Sequence, residues 1–270
     1  MSNWLDDLDD RQLVTLLRHL EKANPPPVLY RYRAATEWAI KEIANHEVHV
    51  TAPDSMNDPF EYSAPLRIDR DRLKEAFEEF CRDEREMDDD AIAREWATVG
   101  DAHVEGIIKG IGDARQNSGV VCCTTNPTSN RMWGYYASSH RGICIGYDTR
   151  FHPFMLAFQV IYDDPSEPME VIDAWKTDCT KFCDHIARRK GKEWEFEQEY
   201  RIPVGPIPDD HTRLLPVDPH GIAEIRLGVK IDSDFKTQVL EAVRKLPVCP
   251  RVIQMECDFK GFQLVERIIA

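Results

Sequence analysis

A chain of 270 residues allows one large domain or two small ones. Hydrophobic residues make up 42 % and charged residues 30 %, the balance of a folded globular chain rather than a disordered one. With 34 basic against 48 acidic residues the net charge is −14, which argues against a broad, sequence-neutral grip on nucleic acid but leaves room for a local basic groove or a nucleotide.

No run approaches the roughly 18 apolar residues of a membrane-spanning helix. The acidic start MSNWLDDLDD lacks the basic and apolar regions of a secretory leader. A cytoplasmic protein with no membrane partner is the expectation. Eight cysteines (81, 122, 123, 144, 179, 183, 249 and 257) are scattered, with no C-x-x-C pair. They read as buried, reduced thiols that hold no metal, with Cys122 and Cys123 on opposite faces of a strand.

In chain order, the leucine stripe of residues 3–22 predicts an amphipathic helix, closed by Pro25-Pro26-Pro27. Residues 1–27 therefore read as a helical extension and 28–270 as one α+β domain. Val28–Tyr32 predicts a strand, Thr36–Ile43 a helix and Glu47–Thr51 a second strand. The turn-rich loop Pro53 to Glu61 follows. Two charged helices with an acidic break between them form a helical insert over about 68–115. Val120–Thr125 then predicts a strand, and Ser129–Ala137 a short helix that Ser129 caps. Gly142–Tyr147 and Phe154–Tyr162 read as strands, Val171–Arg189 as a long helix, and Glu195–Val204 as a strictly alternating strand. Strand Ile222–Val229, helix Asp234–Lys245 and strands near Val252–Met255 and Gln263–Ile268 complete the chain. The pattern predicts two small packed sheets with flanking helices.

Four segments are candidates for chemistry. In Glu195–Pro203 a strand would align Glu195, Glu197, Glu199 and Arg201 on one face. Crowded carboxylates raise one another's pKa and mark sites, although a solvated outer face neutralised by Arg201 fits the same pattern. The segment from Cys122 to Gly142 carries Thr124, Thr125, Trp133, Tyr135, Tyr136 and His140 around a short helix, suited either to holding a flat heterocycle or to filling the core. On the first strand, beside Tyr30, Arg31 and Arg33 share a face, as planar forks for phosphate or as structural ion pairs. Asn57 and Asp58 precede Pro59 in a stiff turn. No G-x-S-x-G, H-E-x-x-H or P-loop pattern is present.

Taken in order, LYRYR, SMNDPFEY, CCTTNPTSNRMWGYYASSHRGICIGYD and W-x-F-E-x-E-Y-R resemble the bacterial and phage-borne domain of unknown function 2971, from about Val28 onward. More distantly, Glu197-Gln198-Glu199-Tyr200-Arg201-Ile202-Pro203 is similar to the E-x-E strand of mono-ADP-ribosyltransferases, and the first-strand Arg to the Arg of their Arg–Ser–Glu class. In place of a Ser-Thr-Ser motif stand Thr124-Thr125 or Ser138-Ser139. This resemblance implies an ADP-ribosyltransferase-like fold with NAD as substrate in a cleft between two sheets. It further implies Arg31 on the phosphates or ribose, Tyr135 or Tyr136 on the nicotinamide, Glu199 on the transition state and Glu197 on the acceptor nucleophile. Tyr30, Asn57, Asp58, Thr124, Thr125, Trp133 and Arg201 would complete the NAD site, with no metal. The acceptor is left open among a protein, a nucleic acid and water, and the role would be that of a toxin or anti-phage effector with an antitoxin or chaperone partner. The competing expectations are a nucleic-acid-processing effector, with Mg²⁺ on Asp58, Glu197 and Glu199 and phosphates on Arg31, Arg33 and Arg201, and a non-catalytic ligand-sensing module.

Overall fold

The computed structural model describes residues 23–62, 65–163, 168–172, 185–205, 207 and 212–270. The helix expected over 3–22, the middle of the helix expected over 171–189, and Cys179 and Cys183 lie outside the described residues. The main elements are β1 (Val28–Arg33), α1 (Glu37–Asn45), α2 (Arg70–Arg85), α3 (Asp89–Gln116), β2 (Gly119–Thr124), α4 (Asn130–Tyr136) and β3 (Ile143–Asp148). They continue with β4 (Phe158–Gln159), β5 (Glu199–Val204), β6 (Ile222–Leu227), α5 (Ser233–Val243), β7 (Arg251–Asp258) and β8 (Gln263–Ile268).

The architecture is α+β, but the strands do not divide into two small sheets. They form one eight-stranded sheet in the order β8-β7-β6-β3-β1-β2-β5-β4. Neighbours run antiparallel except β6 and β7, which are parallel and joined through α5, as a parallel connection requires. Three two-stranded pairs lie outside the sheet: Glu47–His49 with Leu214–Pro216, Leu66–Arg67 with Met169–Glu170, and Ile161–Tyr162 with Arg189–Lys190.

Both faces of the sheet are covered, which is why β2 and β3 read as near-continuous apolar runs. On one face Leu29, Val121, Ile145, Ile202 and Ile225 pack under α1 and α5 through Ala39, Ile43, Val239 and Val243. On the other, Tyr32, Cys144, Ile253 and Met255 pack under Met132 and Trp133 of α4. Ser129 caps α4, its hydroxyl accepting from the Met132 amide. The chain then leaves α4 through three successive left-handed residues, Ser138, Ser139 and His140. Gly142 follows where a Cβ would lie 2.0 Å from the Arg33 carbonyl oxygen, so only glycine lets this turn meet the end of β1. The helical insert is present as α2 and α3, capped by the side chains of Asp69 and Asp88. Residues 26 and 27 are tied to the body, since their carbonyls accept from the Thr149 hydroxyl and amide.

Several local expectations change. The strand expected over Phe154–Tyr162 is a 3₁₀ turn, Phe154–Leu156, then two short strands with different partners, Phe158–Gln159 beside β5 and Ile161–Tyr162 beside Arg189–Lys190. Phe154 turns inward to stack on Tyr147, ring centroids 3.9 Å apart, and this breaks the alternation. Among the described cysteines, all of which are unpaired, Cys249 and Cys257 are exposed rather than buried.

One buried charge ties the first helix to the sheet. Glu42 projects from the inner face of α1 and pairs with Arg31 at 3.2 Å and Arg33 at 2.8 Å, while the Tyr147 hydroxyl donates to it at 2.9 Å. Removing one partner of a buried pair strands the other's charge. Glu42→Ala is therefore expected to lower unfolding free energy by about 3–5 kcal/mol, and Glu42→Gln by less, as measured by urea denaturation. A loss within experimental error for Glu42→Ala would show that Arg31 finds water instead.

Candidate functional site

The site begins where two neighbouring strands part. β1 pairs with β3 from Val28↔Asp148 to Arg33↔Ile143, but meets β2 at Tyr30↔Thr124 and separates beyond it. Further along β2, Val120 pairs instead with Thr51. The backbone between these contacts needs other partners. Arg31 supplies one: its guanidinium donates to the Cys122 carbonyl at 3.4 Å and to the His49 carbonyl at 3.5 Å. The opening holds a cleft of about 290 Å³, lined by Tyr30 to Arg33, Ser55 to Asn57, Cys122 to Thr124, Met132, Tyr136, Lys190, Glu197 and Glu199.

The two glutamates reach the cleft by a route that alternation does not predict. Lys192–Glu197 is a 3₁₀ helix, Gln198 is left-handed at φ 46°, and β5 starts only at Glu199. Thr125 pins this turn, its hydroxyl donating to the Gln198 side chain and its amide to the Gln198 carbonyl. Thr124 donates to the Glu197 carbonyl at 2.6 Å. Both carboxylates consequently converge on one ammonium. Lys190 Nζ lies 2.6 Å from Glu197, 3.1 Å from Glu199 and 3.0 Å from Glu61. Arg201 backs the cluster, donating to both oxygens of Glu199, to Glu61 and to the Ala187 carbonyl. On the cleft side the Tyr136 hydroxyl donates to Glu197 at 2.5 Å and accepts from Asn57 at 2.9 Å.

Three carboxylates against two cations leave one negative charge in excess, and geometry decides where the strain falls. Burial pushes the Glu199 pKa up, but Arg201 and Lys190 outweigh it and bring it down to about 2. Burial also pushes Glu197 up. Lys190 offsets only part of this, Glu199 adds to it, and the net shift is upward. Two neighbouring carboxyls pushed apart in this way have the pattern of a fixed anion beside a proton acceptor. Burial and the neighbouring Glu197 raise the pKa of Tyr136 as well, so that phenol stays protonated as the donor to Glu197.

Of the residues singled out from the sequence, Tyr30, Arg31, Arg33, Asn57, Thr124, Tyr136, Glu197 and Glu199 meet at this cleft. The others do not line it. Asp58 is 5 % exposed and accepts from the Phe60 amide, so it closes a turn. Thr125 holds the Gln198 turn. Trp133 is fully buried, its indole donating to the Pro127 carbonyl, and it fills the core. Tyr135 points out to solvent beside Phe196. Arg201 lies behind Glu199, fully buried. Ser138 accepts from the Ala35 amide, away from the cleft, so Thr124 is the hydroxyl that stands between the arginine strand and the glutamate strand. His140 lies parallel to Trp133, ring centroids 6.4 Å apart.

Lys190 and Glu61 are the site residues that sequence reasoning missed. A signal existed, since crowded carboxylates require a compensating cation, and Arg188-Arg189-Lys190 is the nearest basic run upstream of Glu197. The Lys190 ammonium occupies the space between Glu61, Glu197 and Glu199. Among the described residues no group of His, Cys, Asp and Glu side chains is arranged to hold a metal ion, and no helix is long and apolar enough to cross a membrane.

Neither the curated proteins nor the solved structures yield a significant match to this chain. One family model does match, over residues 132–202, a stretch that runs from α4 through the glutamate pair into β5. That family is the one the ordered motifs resemble, described as a protein of unknown function, DUF2971.

Proposed function

We propose that the cleft binds the nicotinamide–ribose end of NAD and that the protein is an NAD-consuming enzyme of the ADP-ribosyltransferase type, with an ADP-ribosyltransferase-like fold. The observation that carries this reading is the meeting of Arg31, Tyr136 and the split pair Glu197/Glu199 at one opening between β1 and β2. The strands with the arginine, the hydroxyl and the glutamate are consecutive neighbours in the sheet. A volume of about 290 Å³ lies at the bottom of the range for small-molecule sites. It suits one heterocycle and its sugar, with the rest of the dinucleotide at the mouth.

In this reading Arg31 is not a mobile phosphate clamp. It is fixed by Glu42 and by two backbone carbonyls, and it shapes the cleft wall. Arg33 is the more accessible fork, its side chain 24 % exposed against 5 % for Arg31, and it is the better placed to meet a phosphate. As the bond from ribose C1′ to the pyridinium nitrogen breaks, the electron pair leaves with nicotinamide and positive charge develops on the sugar. Glu199, held ionised in a site already ordered around it, stabilises that charge. Glu197 accepts the proton of the incoming nucleophile. A toxin or defence role, with an antitoxin or chaperone partner, would follow from depletion of a shared metabolite.

Glu199→Gln is expected to slow NAD turnover by roughly 10²–10³ while binding of NAD changes far less. Full turnover in this variant would sink the proposal. The same substitution also reports on stability. With its folded pKa lowered from 4.5 to about 2, Glu199 stabilises the fold above about pH 4.5 and loses that contribution as pH falls toward 2. Its size is on the order of 3 kcal/mol. Urea titrations of the wild type between pH 5 and 2 should show this slope, and Glu199→Gln should flatten it.

Lys190 is expected to act as a positioning residue. Lys190→Met removes the cation that lowers Glu197, so the acid limb of the kcat/KM profile should move to higher pH, and Lys190→Arg should move it part of the way back. An unmoved limb in folded Lys190→Met would assign the lysine to structure alone.

A further inference from the structure

Resting on that reading of the site, we propose that the acceptor is water, so that the reaction is hydrolysis of NAD to ADP-ribose and nicotinamide rather than modification of a macromolecule. The argument comes from how Glu197 is enclosed. Its side chain is 4 % exposed. One carboxylate oxygen faces the Tyr136 hydroxyl at 2.5 Å and the other the Lys190 ammonium at 2.6 Å. Asn57, reaching over from the loop after the 3₁₀ turn Pro53–Ser55, bonds the far side of Tyr136 and completes the wall.

A general base has to come within hydrogen-bond reach of the proton it takes, about 2.6–3.2 Å or one water further. A protein side chain or a nucleotide would have to thread past Tyr136 and Asn57 to bring its nucleophilic atom that close to Glu197. Water needs only its own share of volume, about 30 Å³. The cleft of about 290 Å³ has to take the nicotinamide and its ribose, which leaves little of it for an acceptor larger than solvent. The chain's net charge of −14 adds no attraction for a nucleic-acid acceptor.

The step balances without a further reagent. The water oxygen forms a bond to C1′, and the C1′–N bond breaks with its electron pair going to the nicotinamide nitrogen. One water proton passes to the Glu197 carboxylate and from there to solvent. NAD⁺ and water give ADP-ribose, nicotinamide and a proton.

The test runs the full chain on NAD in H₂¹⁸O, with polyarginine and a single-stranded oligonucleotide also present as acceptors. Mass spectrometry follows free ADP-ribose, and a radiolabel on the adenosine moiety follows ADP-ribose attached to either acceptor or to the enzyme. The expected result is one ¹⁸O in each ADP-ribose, free ADP-ribose equimolar with nicotinamide, and acceptors left unlabelled. Glu197→Gln, verified as folded by circular dichroism, should lower hydrolysis by roughly 10²–10⁴, the scale of a lost general base. Nicotinamide release with the label on an acceptor or on the enzyme would overturn hydrolysis and leave the NAD-cleaving site standing. No nicotinamide release at all would overturn both.

Discussion

The site depends on the buried ammonium of Lys190, which holds Glu61, Glu197 and Glu199 together. Three carboxylates drawn out of water repel one another, and the desolvation penalty is several kcal/mol for each ion. A cluster of that kind is a poor source of stability, since an apolar core of the same volume would serve as well or better. Its use lies in the asymmetry it creates. Arg201 reaches both oxygens of Glu199 from behind, while Glu197 has only Lys190 and a phenol. The same two cations therefore fix one carboxylate as an anion and leave its neighbour easier to protonate.

The cleft in front of this cluster is a consequence of sheet pairing. Had β1 and β2 continued to pair beyond Tyr30↔Thr124, their carbonyls and amides would have closed the opening. Arg31 replaces part of the missing ladder by donating to the Cys122 carbonyl, and Glu42 compensates the charge this brings into the core. The gap is thus stabilised from the side of the sheet that α1 covers, and open on the side that carries Tyr136, Lys190 and the glutamates. Glu42 and Lys190 have matching tasks: each neutralises charges that the strands alone leave uncompensated.

Much of this was legible in the chain. The apolar runs of β2 and β3 locate two central strands, the arginines two apart on β1 mark one face of a third, Ser129 marks the start of α4, and the E-x-E points to the carboxylate pair. The misreadings share a cause. Period-two alternation over 195–204 holds on paper, yet a 3₁₀ helix over Lys192–Glu197 and a left-handed Gln198 delay the strand to Glu199, and nothing in a glutamine announces that conformation. Trp133 and Tyr135 are two residues apart on one short helix, so one is buried and the other exposed, and residue type alone cannot sort them. Joining of the strands into one sheet was equally invisible, because it depends on pairings between segments far apart in sequence.

The turn at Gln198 also explains how a pair of glutamates two residues apart acquires two different environments. On a regular strand they would stand side by side about 6.6 Å apart along one face, with similar surroundings. Here the left-handed residue swings Glu197 off the strand, toward Tyr136, while Glu199 stays in register opposite Thr124 and within reach of Arg201. Thr125 holds the turn from the neighbouring strand end, so the hydroxyl pair Thr124–Thr125 acts on the geometry of the glutamates through their backbone and through Gln198. A left-handed glutamine costs roughly 1–2 kcal/mol relative to an extended one. That local strain persists because the ion cluster on one side and the threonines on the other leave the segment no lower-energy path, and its result is two carboxyl groups of different acidity on a single ammonium.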